Sequence, residues 1–124
     1  MDHAGEELVQ KLGLDYIRCE RVSCIVSQGS KARRVIARIH TLGKAMQEGM
    51  RSGPFYTIEL ISENFEKQLE EEKTKTLIHE LLHIPHSFGG GFRHHKLHVN
   101  ARTVEREWKK LQSGKGKNQN LFTQ

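Results

Sequence analysis

The segment His79-Glu80-Leu81-Leu82-His83 constrains the fold of this chain more than any other feature. It lies among apolar residues that repeat at helical spacing, which predicts a helix over about 69–83: Leu77, Ile78, Leu81, Leu82. On that helix the two histidines lie one turn apart, so both imidazoles can reach one metal ion. Glu80 points about 100° around the axis from His79, where its carboxylate meets a metal-bound water and not the metal. The pattern predicts a catalytic zinc site on a half-buried helix.

A zinc site of this kind needs a third protein ligand and keeps its fourth position for water. Six of the eight histidines fall between positions 79 and 98, and those after the motif are the candidates: His86, His94, His95, His98. Pro85 removes His86 from the helix face. The glycine run 89–91 lets the chain turn back and bring His94 or His95 over the helix. The expected cofactor is therefore one Zn²⁺ per chain, with the third ligand still open at this point.

The longer signature H-E-x-x-H-x-x-G-x-x-H is not met, because His86 stands where its glycine would be. In the mechanism that the shorter motif predicts, Glu80 takes the proton of a zinc-activated water, which then attacks a peptide carbonyl. A further group would help to stabilise the oxyanion. The candidates for that donor are His86, His94, His98 and Tyr56.

The rest of the chain predicts a single α+β domain over 1–112, followed by a disordered polar tail over 113–124. Apolar periodicity predicts helices over 5–12 and 31–48, the second capped by Ser30, and a last helix that Asn100 caps. Residues rich in β-branched and aromatic side chains predict strands over 20–27 and 55–61. The edge of the second strand could receive an extended peptide substrate. Residues 84–99 lack periodicity and predict an irregular loop.

The chain carries 20 Lys and Arg against 15 Asp and Glu, a net charge of +5. Several basic residues fall on one face of the predicted helix 31–48: Lys31, Arg33, Arg34, Arg38, Lys44. This face suggests weak association with nucleic acid as an alternative function. No apolar run reaches the roughly 18 residues of a membrane helix. With only two cysteines and no apolar leader, a cytoplasmic location is expected. The oligomeric state is left open.

Four segments resemble a family of small metallopeptidases found in archaea and phages. They are residues 27–40, 56–65, 91–95 and the block Leu77-Ile78-His79-Glu80-Leu81-Leu82-His83-Ile84-Pro85, within a similarity that spans about 15–112. The resemblance implies a zincin-like fold, with the two histidines on a helix beside a mixed sheet. It also implies that Arg93-His94-His95 holds the last ligand at His95, with His94 second. A looser similarity is to SprT-like proteases, which act on proteins attached to DNA.

The sequence thus predicts a zinc metallopeptidase that cuts a peptide or protein substrate. The metal ligands are His79, His83 and His95, and Glu80 is the general base. The alternative is a non-catalytic zinc-binding module, associated with nucleic acid through the basic segment 31–44. Glu80 distinguishes the two, because a purely structural site has no use for a glutamate beside its first histidine.

Overall fold

Three strands form one sheet in the computed structural model, which describes residues 3–31, 33–93 and 99–115. The strands are β1 (Val22–Ser27), β2 (Ala37–Thr41) and β3 (Tyr56–Ile61). Their order is β1-β3-β2, with β3 parallel to β1 and antiparallel to β2. Because β3 is central, β1 and β2 form the two edges within the described chain.

Among the described residues, five helices accompany the sheet, and a 3₁₀ turn over Cys19–Arg21 precedes β1. The helices are α1 (His3–Lys11), α2 (Lys44–Met50), α3 (Ser62–Phe65), α4 (Glu70–Leu82) and α5 (Ala101–Lys115). The predictions for 5–12, 20–27, 55–61 and 69–83 are confirmed to within two residues. Asn100 caps α5 as predicted, since the Thr103 N–H donates to its Oδ1 at 3.0 Å.

The core lies between one face of the sheet and helices α1, α4 and α5. The side chains that fill it are almost completely buried: Leu8, Leu12, Val22, Tyr56, Ile58, Ile78, Leu81, Val104, Leu111. On α4 the buried residues follow the 3.6-residue period, which commits one face of that helix to the core. The α+β prediction is confirmed.

The predicted helix over 31–48 is wrong. Residues 33–36 are irregular, β2 occupies 37–41, and a helix begins only at Lys44. Ile36 and Ile39 are spaced for a helical stripe, but residues 37–41 also alternate between half-buried and exposed side chains. This segment forms a strand because it pairs with the second edge of β3, where Ile39 lies opposite Ile58. Ser30 consequently caps no helix.

The strand over 37–41 removes the structural basis of two functional predictions. The basic residues of 31–44 do not share a helix face, because they are divided between a loop, β2 and the start of α2. The edge of β3 cannot receive a substrate, because β1 and β2 pair with both of its sides. The open edge nearest α4 belongs to β2 instead.

The last helix is longer than the sequence predicted. Helix α5 continues to Lys115, three residues past the predicted domain boundary at 112. The remainder of the predicted tail, 116–124, lies outside the described residues. Among the helices within the described ranges, none is both long enough and apolar enough to cross a membrane.

Candidate metal and catalytic site

The motif lies in the last turns of α4, as its sequence predicts. Three glutamates occupy the first turn, where negative charge is favourable, and the Leu69 N–H donates to Glu72 Oε1 at 3.1 Å. The helix ends at Leu82, and His83 is its C-cap with φ −69° and ψ −20°. His79 and Glu80 are therefore held by regular helix, and His83 by the cap.

The two histidines of the motif are neighbours with a defined orientation. Their ring centroids are 5.1 Å apart and their planes are inclined at 72°. His83 is buried, and its Nδ1 lies 3.2 Å from the carbonyl oxygen of Arg93. When Nδ1–H donates to that carbonyl, the lone pair is on Nε2, the arrangement common to metal-binding histidines. The two rings therefore lie close enough to serve as two of the ligands of one metal ion.

Glu80 is buried, with 6% of its surface exposed. Desolvation by the surrounding protein raises the pKa of its carboxyl from 4.5 to about 7. A carboxyl with a pKa near neutrality can both accept and return a proton at physiological pH. A raised pKa in a buried carboxyl that lines a cavity is typical of functional sites.

Tyr56, in the central strand, holds the glycine loop 89–91 against the sheet. Its hydroxyl donates to the carbonyl of Gly91 at 2.8 Å and accepts from the N–H of Gly90 at 2.9 Å. The side chain is completely buried. Because its hydroxyl is engaged in this way, Tyr56 positions the loop and is not the oxyanion donor that the sequence allowed.

The loop then returns to the end of α4. The Arg93 N–H donates to the carbonyl of His83 at 2.8 Å, and the Arg93 carbonyl accepts from the ring of the same histidine. Phe92 packs against both Tyr56 and His83, with centroid distances of 6.1 and 6.3 Å. The chain is thus beside His83 at the point where the sequence continues into His94 and His95.

The third ligand is not settled by these contacts. His94, His95 and His98 lie outside the described residues. Within the part of the chain that is described, no group of three His, Cys, Asp or Glu side chains could hold a metal ion. His86 packs against Tyr16, with ring centroids 4.4 Å apart and planes inclined at 55°, and it lines a cavity different from the one that His79 and His83 share. His95 therefore stays a prediction.

A cleft runs between the motif and the edge of β2. One cavity of about 490 Å³ is lined by Ala37, Arg38 and Ile39 on one side and by the motif residues His79, Glu80 and His83 on the other. A second cavity of about 620 Å³ continues along α4 and shares Ala37, His79 and Glu80 with the first. The three motif side chains thus line the floor of a groove whose wall is a strand edge.

The backbone of β2 offers hydrogen-bonding groups to this groove. The Ile61 N–H donates to the Ile36 carbonyl, and the Leu42 N–H donates to the Phe55 carbonyl. Residues 36 and 42 are therefore in hydrogen-bonded pairs with β3. Such pairs recur at every second residue of an antiparallel strand, so the backbone N–H and C=O groups of the even-numbered residues of β2 point toward β3. The N–H and C=O groups of Ala37, Ile39 and Thr41 consequently point away from β3, toward the open edge.

Sequence reasoning missed the contributions of β2 and of Arg93. The signal for β2 was present, since Ala37, Ile39 and Thr41 alternate with Arg38 and His40. No sequence pattern predicts the hydrogen bond from the His83 ring to the Arg93 carbonyl, because the acceptor is a backbone atom ten residues away.

Comparison with known proteins agrees with this chemistry. No curated protein and no solved structure matches the chain. One protein family does, over residues 1–118, and its description is "Putative phage metallopeptidase". The looser similarity to SprT-like proteases finds no support in that match. Because the match spans nearly the whole sequence, the chain belongs to this phage metallopeptidase family.

Proposed function

We propose that the protein is a zinc-dependent peptidase whose metal is held by His79, His83 and His95. The observation that carries this proposal is the convergence of His79, Glu80 and His83 on one groove beneath an open strand edge. Bound zinc would supply a Lewis acid that lowers the pKa of a coordinated water toward about 7. The proposal extends the family assignment to a metal, a base and a substrate class.

Glu80 acts as the general base and later as the acid. Its carboxyl lines the same groove as His79 and His83, so it would take a proton from the attacking water there and pass it to the leaving amine. His83 is held in position by the Arg93 carbonyl, so its ring does not rotate out of the site.

The substrate is an extended peptide that lies along β2. The outward N–H and C=O groups of Ala37 and Ile39 would pair with its main chain, as an added strand pairs with any open sheet edge. Both residues line the same cavity as Glu80, so a peptide on this edge passes over the catalytic carboxyl.

The test is the zinc content and proteolytic activity of the untagged protein, purified without chelator. We expect about one zinc per chain and slow cleavage of an unfolded protein such as reduced casein. His79→Ala and His83→Ala should lose the metal. His40→Ala, an exposed histidine bonded to Glu59 at 2.8 Å, is the matched control and should keep it. A full equivalent of zinc in either motif variant would refute the site.

Glu80→Gln separates an enzyme from a zinc-binding module. The variant should keep its zinc and lose activity by about 10²–10⁴-fold, the usual contribution of a general base. If the wild type binds zinc yet cleaves nothing, or if Glu80→Gln is as active as wild type, the non-catalytic module is the correct function. Nucleic-acid association stays a prediction and has lost the basic helix on which it depended.

A further inference from the structure

The second cavity of the groove is an apolar pocket beside the catalytic carboxyl. Its volume is about 620 Å³, and it lies between the start of β2, the middle of α4 and the first turn of α5. Besides His79 and Glu80, the walls that matter here are Val35, Ile36, Ala37, Thr76, Ala101 and Val104. We call this space the apolar pocket. It is large enough for one bulky side chain, including an aromatic one.

Several polar side chains at its rim are engaged with other protein groups, and Arg34 also lines the pocket. Lys75 Nζ lies 2.8 Å from Glu105 and 2.9 Å from Glu71. The Thr76 hydroxyl donates to Gln68 Oε1 at 3.0 Å, and Glu72 accepts from a backbone N–H at the start of α4. Because these charges and dipoles are satisfied within the protein, what the pocket offers a ligand is chiefly apolar surface.

The pocket is continuous with the proposed path of the substrate. Ala37, His79 and Glu80 line both the apolar pocket and the cavity that contains His83. The backbone of Ala37 points toward the open edge of β2, so a peptide paired there reaches the mouth of the pocket. Side chains of a strand alternate between its two faces, so a peptide paired with Ala37 would present one side chain to the mouth of the pocket, beside the bond over Glu80.

We propose that the apolar pocket selects peptides with a large apolar residue, of leucine or phenylalanine size, directly beside the cleaved bond. This inference rests on the proposed function. Burial of such a side chain should favour these substrates over alanine or glycine by about tenfold to a hundredfold in kcat/KM.

A filled-pocket variant tests the role of this space. Ala101 is exposed at the first position of α5 and lines the pocket, so Ala101→Phe occupies it without disturbing the core. The adjacent Arg102 is also exposed and is not part of the lining. Arg102→Phe is therefore the matched control, with the same added ring on the same helix turn.

The first experiment digests a degenerate peptide mixture with zinc-loaded protein and identifies the cleaved bonds by mass spectrometry. We expect Leu, Phe and similar residues to be enriched on one side of the bond for wild type and Arg102→Phe. In Ala101→Phe this enrichment should disappear. Cleavage that depends on Glu80 but shows no apolar preference would overturn the inference and leave the proposed function intact. A preference for Asp or Glu would overturn it in favour of Arg34, which also lines the pocket.

The second experiment does not depend on hydrolysis. The methyl groups of Ile36 and Val104 are observed by NMR while one of two probes is added to millimolar concentration, the range in which a single side chain binds. The probes are N-acetyl-phenylalanine amide and the α-amide of N-acetyl-aspartic acid, which keeps its side-chain carboxylate. Shifts with the phenylalanine amide alone, lost in Ala101→Phe and kept in Arg102→Phe, are the expected result. Absence of such shifts overturns the pocket assignment. Shifts in a protein that cleaves no peptide would keep the pocket and refute the peptidase.

Discussion

Glu80 and His83 are both buried, each with 6% of its surface exposed, although neither is apolar. Burial of a carboxyl costs free energy that an exposed position on α4 would avoid. The raised pKa of Glu80 records this cost. The ring of His83 is compensated for its own burial by its hydrogen bond to the Arg93 carbonyl. Such placement is typical of residues retained for chemistry.

At the residue scale, the third ligand can be identified by two single substitutions. His95→Ala should weaken zinc binding by several orders of magnitude, since it removes one of three protein ligands, whereas His94→Ala should have a small effect. Zinc affinity measured by competition with a chromophoric chelator gives the order. The reverse order would assign the ligand to His94, and two unaffected variants would exclude both.

At the scale of elements, the glycine loop 89–91 depends on one position. Gly90 has φ +104°, and a Cβ there would lie 2.6 Å from Gln47 Nε2 and 3.1 Å from the Leu42 carbonyl oxygen. Gln47 cannot retreat cheaply, because it is buried and donates to that same carbonyl at 2.7 Å. The loop is thereby fixed between α2 and Tyr56.

Gly90→Ala should destabilise the protein by about 1–3 kcal/mol, from backbone strain and the displaced amide. It should also weaken zinc binding, because the loop carries Arg93 to His83. Gly91→Ala is the control, since no atom lies within 4 Å of its added Cβ. Urea denaturation of the two variants measures the difference, and equal stabilities would contradict the role assigned to Gly90.

The exposed face of the sheet contains a carboxylate that connects all three strands. Glu59 in β3 accepts from Ser27 in β1, and it lies 2.8 Å from His40 Nε2 and 3.5 Å from Arg38 Nε in β2. The hydrogen bonds from Ser27 and His40 lower the pKa of Glu59 below 4.5. These contacts help to hold β2 in place as the wall of the groove.

A lowered pKa means that Glu59 stabilises the fold while it is ionised. Its contribution is present above the unfolded-state pKa of about 4.3 and is lost as the pH falls through the lower folded-state value. Carboxyl ¹³C NMR titration should show a pKa below 4.5, and Ser27→Ala should raise it. An unchanged titration in Ser27→Ala would show that Ser27 is not the main cause.

At the scale of the whole molecule, the proposed metal site joins α4 to the chain that follows the glycine loop. A ligand that binds only the folded state at 100 times its Kd stabilises by about 2.7 kcal/mol. Zinc should therefore raise the Tm of chelator-treated protein by about 10 °C. Thermal denaturation of His79→Ala should show no such increase, and an equal increase in that variant would place the stabilising zinc elsewhere.

The sequence alone determined the parts of this protein that depend on local periodicity. The helix over 69–83, the strands over 20–27 and 55–61 and the Asn100 cap are all encoded by neighbours a few residues apart. The motif residues His79, Glu80 and His83 also follow from spacing on one helix. The third ligand could be narrowed only to the histidines that follow the motif and, through the family resemblance, to His95.

Only the tertiary structure decided the secondary structure of residues 31–48. Their apolar spacing suits a helix as well as a strand, and the unpaired edge of β3 decided in favour of a strand over 37–41. The same strand supplies the wall of the groove, and the Arg93 carbonyl fixes His83 from ten residues away. These features arise from contacts between distant segments, which no local pattern can specify.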